Sequence, residues 1–354
     1  MKKKLISTLL AAAMVMAPMA VNAEDATEAT TEATTEAATE AAEAATEAGT
    51  EAAEEKALPT IDPDKEYVIG YAPATLNNAF WLAVKDGVQQ AIDETGANVT
   101  LVDIDANGDQ AIMNDGISNL LSSGVDALLC APADSNAVGS ALEQCNQAGV
   151  PVINFDTPVP DASQVETIIA SDNYNAGYVV GQDAASKMED GAKILILHSP
   201  RASACVDRYD GFIAALDESG KEYTIVNELD GQGATEVSLG LTSDALVADP
   251  DLEVIFAVND PSAMGAVNAI QQTSVTLEKD IMVYGVDGNP DAKKMIEAGT
   301  MEGTGSQSPE TLGYESMMAA FSVLAGEEVE PEIVVDTFLI TADNVAEFGT
   351  DGWQ

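Results

Sequence analysis

Positive charge is scarce in this chain: 14 lysines and arginines stand against 60 aspartates and glutamates, for a formal charge of -46. A polyanion is held by clustered Lys and Arg that displace its counterions, so nucleic acid is excluded as a partner class. The acidity instead suits an exported protein that must stay soluble and unsticky. Cysteine is also sparse. Cys130, Cys145 and Cys205 form no Cys-x-x-Cys pair, so buried free thiols are expected in place of a disulfide framework. The one histidine, His198, has no His/Cys cluster around it, and no zinc or redox site is expected. Catalytic and nucleotide motifs are missing as well: there is no Gly-x-Gly-x-x-Gly after the first strand, no phosphate loop and no Gly-x-Ser-x-Gly. The expectation is a protein that is not an enzyme and carries no cofactor.

The chain opens with Met1 and three lysines, runs through an apolar stretch from Leu5 to Val21, and reaches Val21-Asn22-Ala23. That pattern is read as a signal peptide, residues 1–23, cut after Ala23. An uncleaved anchor is the alternative, although Pro18 interrupts a run already marginal for a bilayer that needs ~20 apolar residues. Residues 24–65 follow as an acidic linker, with near-repeats of Ala, Thr and Glu through Lys56. Lacking aromatics and branched aliphatics over that repetitive part, it is expected to act as a flexible tether. What remains is long enough for two lobes.

From Tyr67 onward short apolar runs alternate with amphipathic ones. Tyr67–Ala72, Asn98–Asp103, Ala127–Cys130 and Val152–Phe155 read as buried strands, separated by helical stretches that end at Gly96, Gly124 and Gly149. The pattern restarts with strands at 193–198, 224–229, 254–258 and 281–286. Strands joined through helices run parallel, so two parallel sheets are predicted. Ligands of open α/β sheets bind at the carboxyl ends of the strands, which directs attention to the loops that follow them.

Those loops carry Thr75-Leu76-Asn77-Asn78-Ala79-Phe80-Trp81, Pro132-Ala133-Asp134-Ser135, Asn154-Phe155-Asp156, Ala170-Ser171-Asp172-Asn173, Asp207-Arg208-Tyr209-Asp210-Gly211-Phe212, Ala257-Val258-Asn259-Asp260 and Gly285-Val286-Asp287-Gly288. In this order and spacing they resemble the ribose-binding branch of the periplasmic sugar-binding proteins of ABC importers. The resemblance implies an α/β fold of two doubly wound parallel-sheet lobes joined by a three-crossing hinge, the periplasmic binding protein-like I arrangement. The N-terminal lobe would comprise 66–171 plus about 307–334, and the C-terminal lobe 172–306 plus about 335–354. Carried onto matching positions, the ligand contacts fall on Asn78, Phe80, Trp81, Asp156, Arg208, Asn259, Asp287 and Gln307. The implied ligand is a monosaccharide, pentose or hexose, or a related polyol. Its implied partner is the membrane permease of an ABC importer, and the protein is expected to be a secreted monomer in the periplasm or at the outer face of the envelope. A sensor that presents sugar or a signalling molecule to a membrane receptor is the alternative function.

The residues suit such a ligand, because a sugar offers C–H faces to aromatic rings and a rim of hydroxyls to carboxylates, amides and a guanidinium. Each also has a plainer role to weigh. Phe80 and Trp81 open a helix and could be core. Arg208 could pair with Asp207 or Asp210, but its five-donor fork favours ligand contact; Arg201 is read as surface. Asp156 and Asp287 could cap following helices. At 259–260, Asp260 is expected to be the cap and Asn259 to face the cleft. His198 is expected to be a satisfied polar residue, and Trp353 to stand apart from the cleft. Four positions depart from the ribose-binding pattern: Thr157 replaces an arginine, Ala131 an asparagine, Ala74 a serine, and an expected aromatic falls within Gly231-Gln232-Gly233. They imply a less polar pocket, open to hexoses, deoxy sugars and polyols.

Overall fold

Runs of Val, Ile and Leu with no polar alternation form strands buried on both faces, as parallel sheets require. In the computed structural model, which describes residues 58–354, these runs give β1 (Glu66–Ala72), β3 (Ala127–Cys130), β4 (Val152–Phe155) and β5 (Thr167–Ser171), while β2 (Asn98–Asp103), at the sheet edge, alternates exposed and half-buried residues. The expected signal peptide and most of the expected linker lie outside the described residues. Together with β11 (Glu332–Val335) the first strands form one parallel sheet in the order β11-β5-β4-β3-β1-β2. The second sheet has the order β12-β10-β9-β8-β6-β7. It comprises β6 (Ala192–His198), β7 (Tyr223–Asp230), β8 (Val254–Ala257), β9 (Met282–Asp287), β10 (Gly303–Ser306) and β12 (Phe338–Thr341). Only β12 within it is antiparallel, to β10.

Helices cover both faces of each sheet. On the first, α1 (Ala79–Thr95) and α9 (Pro309–Ala325) enclose a core of Ile69, Tyr71, Val84, Phe155, Leu312 and Phe321. On its other face, α2 (Gln110–Ser123) and α3 (Gly139–Ala148) enclose a second core that holds Cys130 and Cys145. All three cysteines are free and buried, as expected, and burial pushes the Cys130 thiol up to about 12. On the second sheet, α4 (Asn173–Lys187) and α5 (Ser203–Ser219) cover one face. The other is covered by α6 (Thr235–Ala248), α7 (Asp260–Gln272) and α8 (Pro290–Glu297). The short α10 (Val345–Phe348) follows β12.

The chain passes between the sheets three times: from β5 into α4, from β10 into α9, and from β11 into β12. The first and third passages are stitched together, since Asp172 N donates to Val335 O, Thr337 Oγ1 to Asp172 O, and Asn175 Nδ2 to Thr337 O. Val335 pairs with Ser171 in the first sheet, extending that strand to the end of the third passage. Residues 58–65, expected within the flexible linker, make contacts with the first lobe. Ile61 packs against the first core, Asp62 N donates to Tyr67 Oη, and Lys65 pairs with Asp126. Apolar burial at Ile61 was not signalled by composition. Among the described residues no helix is long and apolar enough to cross a membrane.

Candidate functional site

The carboxyl ends of both sets of strands converge on a buried polar cluster whose centre is Arg208. This residue sits on α5, which approaches α4 so closely that a Cβ on Gly177 would stand 1.8 Å from Arg208 O. A Cβ on Gly211 would stand 2.0 Å from Tyr174 O, so only glycine permits this helix contact. The approach brings Arg208 Nε to Asn173 Oδ1 at 2.8 Å, while Nη1 donates to Val258 O at 2.9 Å and to Asp287 Oδ1 at 3.3 Å. Arg208 is 3% exposed and pairs with Asp287, not with its chain neighbours Asp207 or Asp210.

Asp287 ends β9 with φ at 146°, a backbone region that non-glycine residues seldom occupy. It caps no helix; Asn289 caps α8. Asp287 Oδ1 also accepts from Gln307 Nε2 at 2.8 Å, and Gln307 N donates to Asp287 O. Gln307 is 1% exposed, and its Oε1 has no hydrogen-bond partner among the described residues. Beneath this pair lies Asp260, which accepts from Thr304 Oγ1 and Asn289 N. Burial pushes the Asp287 carboxyl up to about 8 and that of Asp260 up to about 6, with Arg208 pulling both back.

Asp156 comes from the other sheet. It follows β4 with φ at 57°, caps no helix, and accepts from Thr157 Oγ1 at 2.6 Å. Its carboxyl is raised by burial, which the charge of Arg208 and the Thr157 hydrogen bond oppose. The arginine of one lobe thus acts on the carboxylate of the other.

Phe80 and Trp81 are buried in the first core, edge-on to one another at 5.1 Å, with Trp81 also edge-on to Phe155 at 6.0 Å. Asn78 caps α1 by accepting from Phe80 N. At 259–260 the expected cap is corrected: Asn259 caps α7, accepting from Ser262 N and donating to Gly233 O, whereas Asp260 is fully buried. Asn259 has the extended backbone that a cap requires, while Asp260 is already helical and turns to the β9 and β10 ends. His198 stacks on Tyr209 at 5.0 Å, and its Nδ1 lacks a partner among the described residues, contrary to the expected satisfied role. Trp353 is not remote either, for its ring lies 5.9 Å from that of Phe80.

Direct hydrogen bonds join the two lobes beside this cluster. Ser203 Oγ, at the start of α5, donates to Pro158 O at 2.6 Å; Ser203 N donates to Ser135 Oγ at 3.1 Å, and Ser135 N to Arg201 O at 3.0 Å. Sequence reasoning missed Ser203 and Asn173 as site-forming residues. Asn173 stood within one of the recognised segments, but nothing local indicated that its amide would orient an arginine 35 residues away.

Two lobes, three hinge passages and a polar cluster that draws on both define a cleft-type solute receptor. The family profile described as a periplasmic binding protein domain matches residues 69–328, and the chain belongs to that family. It is 35% identical over 270 residues to the ribose import binding protein of Bacillus subtilis (strain 168), covering 76% of this chain and 85% of that one. The corresponding protein of Escherichia coli (strain K12) is 33% identical over 273 residues, covering 77% and 90%. A solved ABC transporter solute binding protein from Agrobacterium vitis, with bound D-fucose, superposes with a TM-score of 0.73 at 27% identity, covering 79% of this chain and 97% of that one.

Proposed function

We propose that the protein is an extracytoplasmic solute-binding protein that captures a monosaccharide or related polyol in its cleft and delivers it to the permease of an ABC importer. The observation that carries this is the meeting of Asp156 from one lobe with Arg208 and Asp287 from the other, with a buried acceptor, Gln307 Oε1, left over. Carboxylates, a guanidinium and an amide offer complementary partners for hydroxyls, each both donor and acceptor. The aromatic pair Phe80 and Trp81 supports an apolar face for the C–H side of the ring. Relatives named for ribose import support the same ligand class.

Asn78, Phe80, Trp81 and Asp156 would hold the ligand from the first lobe, Arg208, Asn259 and Asp287 from the second, and Gln307 from the hinge passage that follows β10. A ligand gripped by both stabilises the closed form by its differential affinity, which gives the permease a shape that distinguishes loaded from empty receptor. Thr157, whose hydroxyl is committed to Asp156, leaves the first lobe's side of the cluster without a cation and widens the acceptable ligands beyond ribose. Action as a monomer in the periplasm or at the outer envelope face belongs to the same proposal. Calorimetric titration with D-ribose, D-allose, D-fucose, myo-inositol and glycerol tests it. At least one should bind to wild type and lose most of its affinity for Asp156→Ala; a protein that binds none of them overturns the proposal.

A further inference from the structure

The last residues of the sequence do not stay with α10, where their chain neighbours lie. Lys293, fully buried on α8, donates from Nζ to Gly352 O at 2.7 Å and so fixes the segment to the second lobe. Ser306 Oγ donates to Gln354 Oε1 at 3.0 Å, and that oxygen also lies 3.0 Å from where a Cβ on Gly288 would be. Ser306 and Gly288 immediately adjoin Gln307 and Asp287. Between these two anchors Trp353 reaches the first lobe, edge-on to Phe80 at an interplanar angle of 79°. The segment therefore bridges the two halves of the cluster described above.

Two buried polar atoms in this neighbourhood have no partner among the described residues: the acceptor Gln307 Oε1 and the donor Gln354 Nε2. Burying such atoms unpaired is costly, so a polar occupant that serves both is favoured. A hydroxyl donates and accepts at once. Trp353 supplies what hydroxyl groups cannot use, a large rigid apolar surface, and it stands on the lobe whose other cluster residues are all polar.

We propose that Trp353 and Gln354 are ligand-site residues, Trp353 extending with Phe80 one continuous aromatic wall and Gln354 sharing the ligand's hydroxyls with Gln307. This rests on the sugar or polyol reading of the cleft. It gives Lys293 a positioning role, because the buried ammonium holds the backbone that presents both side chains.

The test is calorimetry with whichever of D-ribose, D-allose, D-fucose, myo-inositol and glycerol binds wild type most tightly. Trp353→Ala is expected to weaken binding about tenfold, and Trp353→Phe, which keeps a ring, by no more than about threefold. Gln354→Ala is expected to weaken it about fivefold. In Trp81→Phe, where Trp353 is the remaining tryptophan, ligand should shift its emission; this readout holds even if Trp353→Ala fails to fold. Asp156→Ala separates the two levels of inference. Loss of binding in Asp156→Ala with affinity unchanged in Trp353→Ala and Gln354→Ala would overturn the wall while the cleft stands. Tighter binding in those two variants would also overturn it, since the segment would then compete with the ligand. If Asp156→Ala binds normally, or no sugar binds wild type, the cleft reading fails and the wall with it.

Discussion

The two lobes furnish the cluster with opposite materials. The first contributes rings, with Tyr71, Phe80, Trp81 and Phe155 in one core, and a single acid, Asp156, whose one side-chain partner is its neighbour Thr157. The second contributes a connected polar network, in which Asn173, Val258 O and Asp287 receive Arg208, and Gln307 and Asp260 extend it through hydrogen bonds to the ends of β9 and β10. The difference teaches where stability and affinity reside. A network whose members largely satisfy one another contributes to the fold as well as to any ligand, whereas a nearly unpartnered carboxylate is held in reserve for the ligand.

Removing Arg208 breaks this comparison most severely. Arg208→Ala leaves Asp287, Asp156 and Asp260 buried without their shared cation, and should cost about 3–5 kcal/mol of unfolding free energy in denaturant titration as well as ligand binding. Arg208→Lys should not restore it, because one ammonium cannot reach Asn173, Val258 O and Asp287 with the geometry of the guanidinium. A melting temperature within a degree or two of wild type for Arg208→Ala would show that the network is not structural. Asp156→Asn should act the other way. Asparagine accepts the left-handed backbone and carries no charge to desolvate, so ligand-free stability should hold or rise while affinity falls by about 2 kcal/mol.

How much of this could be read from sequence follows the same division. Of the strands with branched aliphatic side chains, β1–β4 and β6–β9 were legible to within a residue or two, because such runs mark burial, while β5, β11 and β12 were too short or too mixed to be picked out. β10 was not legible either, since its residues Gly303–Ser306 have nothing apolar to signal burial. They are buried because α4 packs against them so tightly that a Cβ on Gly305 would stand 2.5 Å from Ala176 O. The candidate residues were legible as loop positions after strands, and the resemblance selected among them. Their partners were not, because an arginine's pairing with Asp287 over Asp207 depends on how two helices cross, which no local pattern encodes. The return of Trp353 to Phe80 depends on a buried lysine in a different helix, and is equally invisible.

The raised carboxyls sharpen the contrast by pH. Asp260 and Asp287 hold protons in the folded chain at pH values where the unfolded chain has released them. Their contribution to stability is therefore neutral below the ordinary carboxylate range, becomes increasingly unfavourable from about pH 4 upward, and levels off once Asp260, raised to about 6, and Asp287, raised to about 8, have ionised. Ligand-free melting temperature should fall across that window. Asp287→Asn, whose amide oxygen can still accept from Arg208 and Gln307, should flatten the fall by roughly 1–2 kcal/mol relative to wild type. Parallel pH profiles for the two proteins would mean that the burial penalty at Asp287 is relieved in another way.

The smallest expected effect concerns the seam between the lobes, where neither aromatic nor ionic residues act. Ser203 Oγ reaches Pro158 O, and Ser203 N reaches Ser135 Oγ, so these bonds exist only while the lobes are together. Ser203→Ala removes the hydroxyl contacts but leaves the backbone N–H and every cluster residue in place. It should therefore lower the population of the closed form by the worth of one or two ordinary hydrogen bonds, about 0.5–1.5 kcal/mol, without altering the contacts made inside it. Apparent affinity then falls by the same factor as the closed population, with the loss in dissociation rate. Stopped-flow dissociation, paired with the radius of gyration from small-angle scattering of ligand-bound protein, separates this from damage to the cleft. Faster release with an unchanged saturated radius is the expected pair of results. An unchanged release rate would mean that the ligand alone holds the lobes together, and that the serine seam is a consequence of closure without being a cause of it.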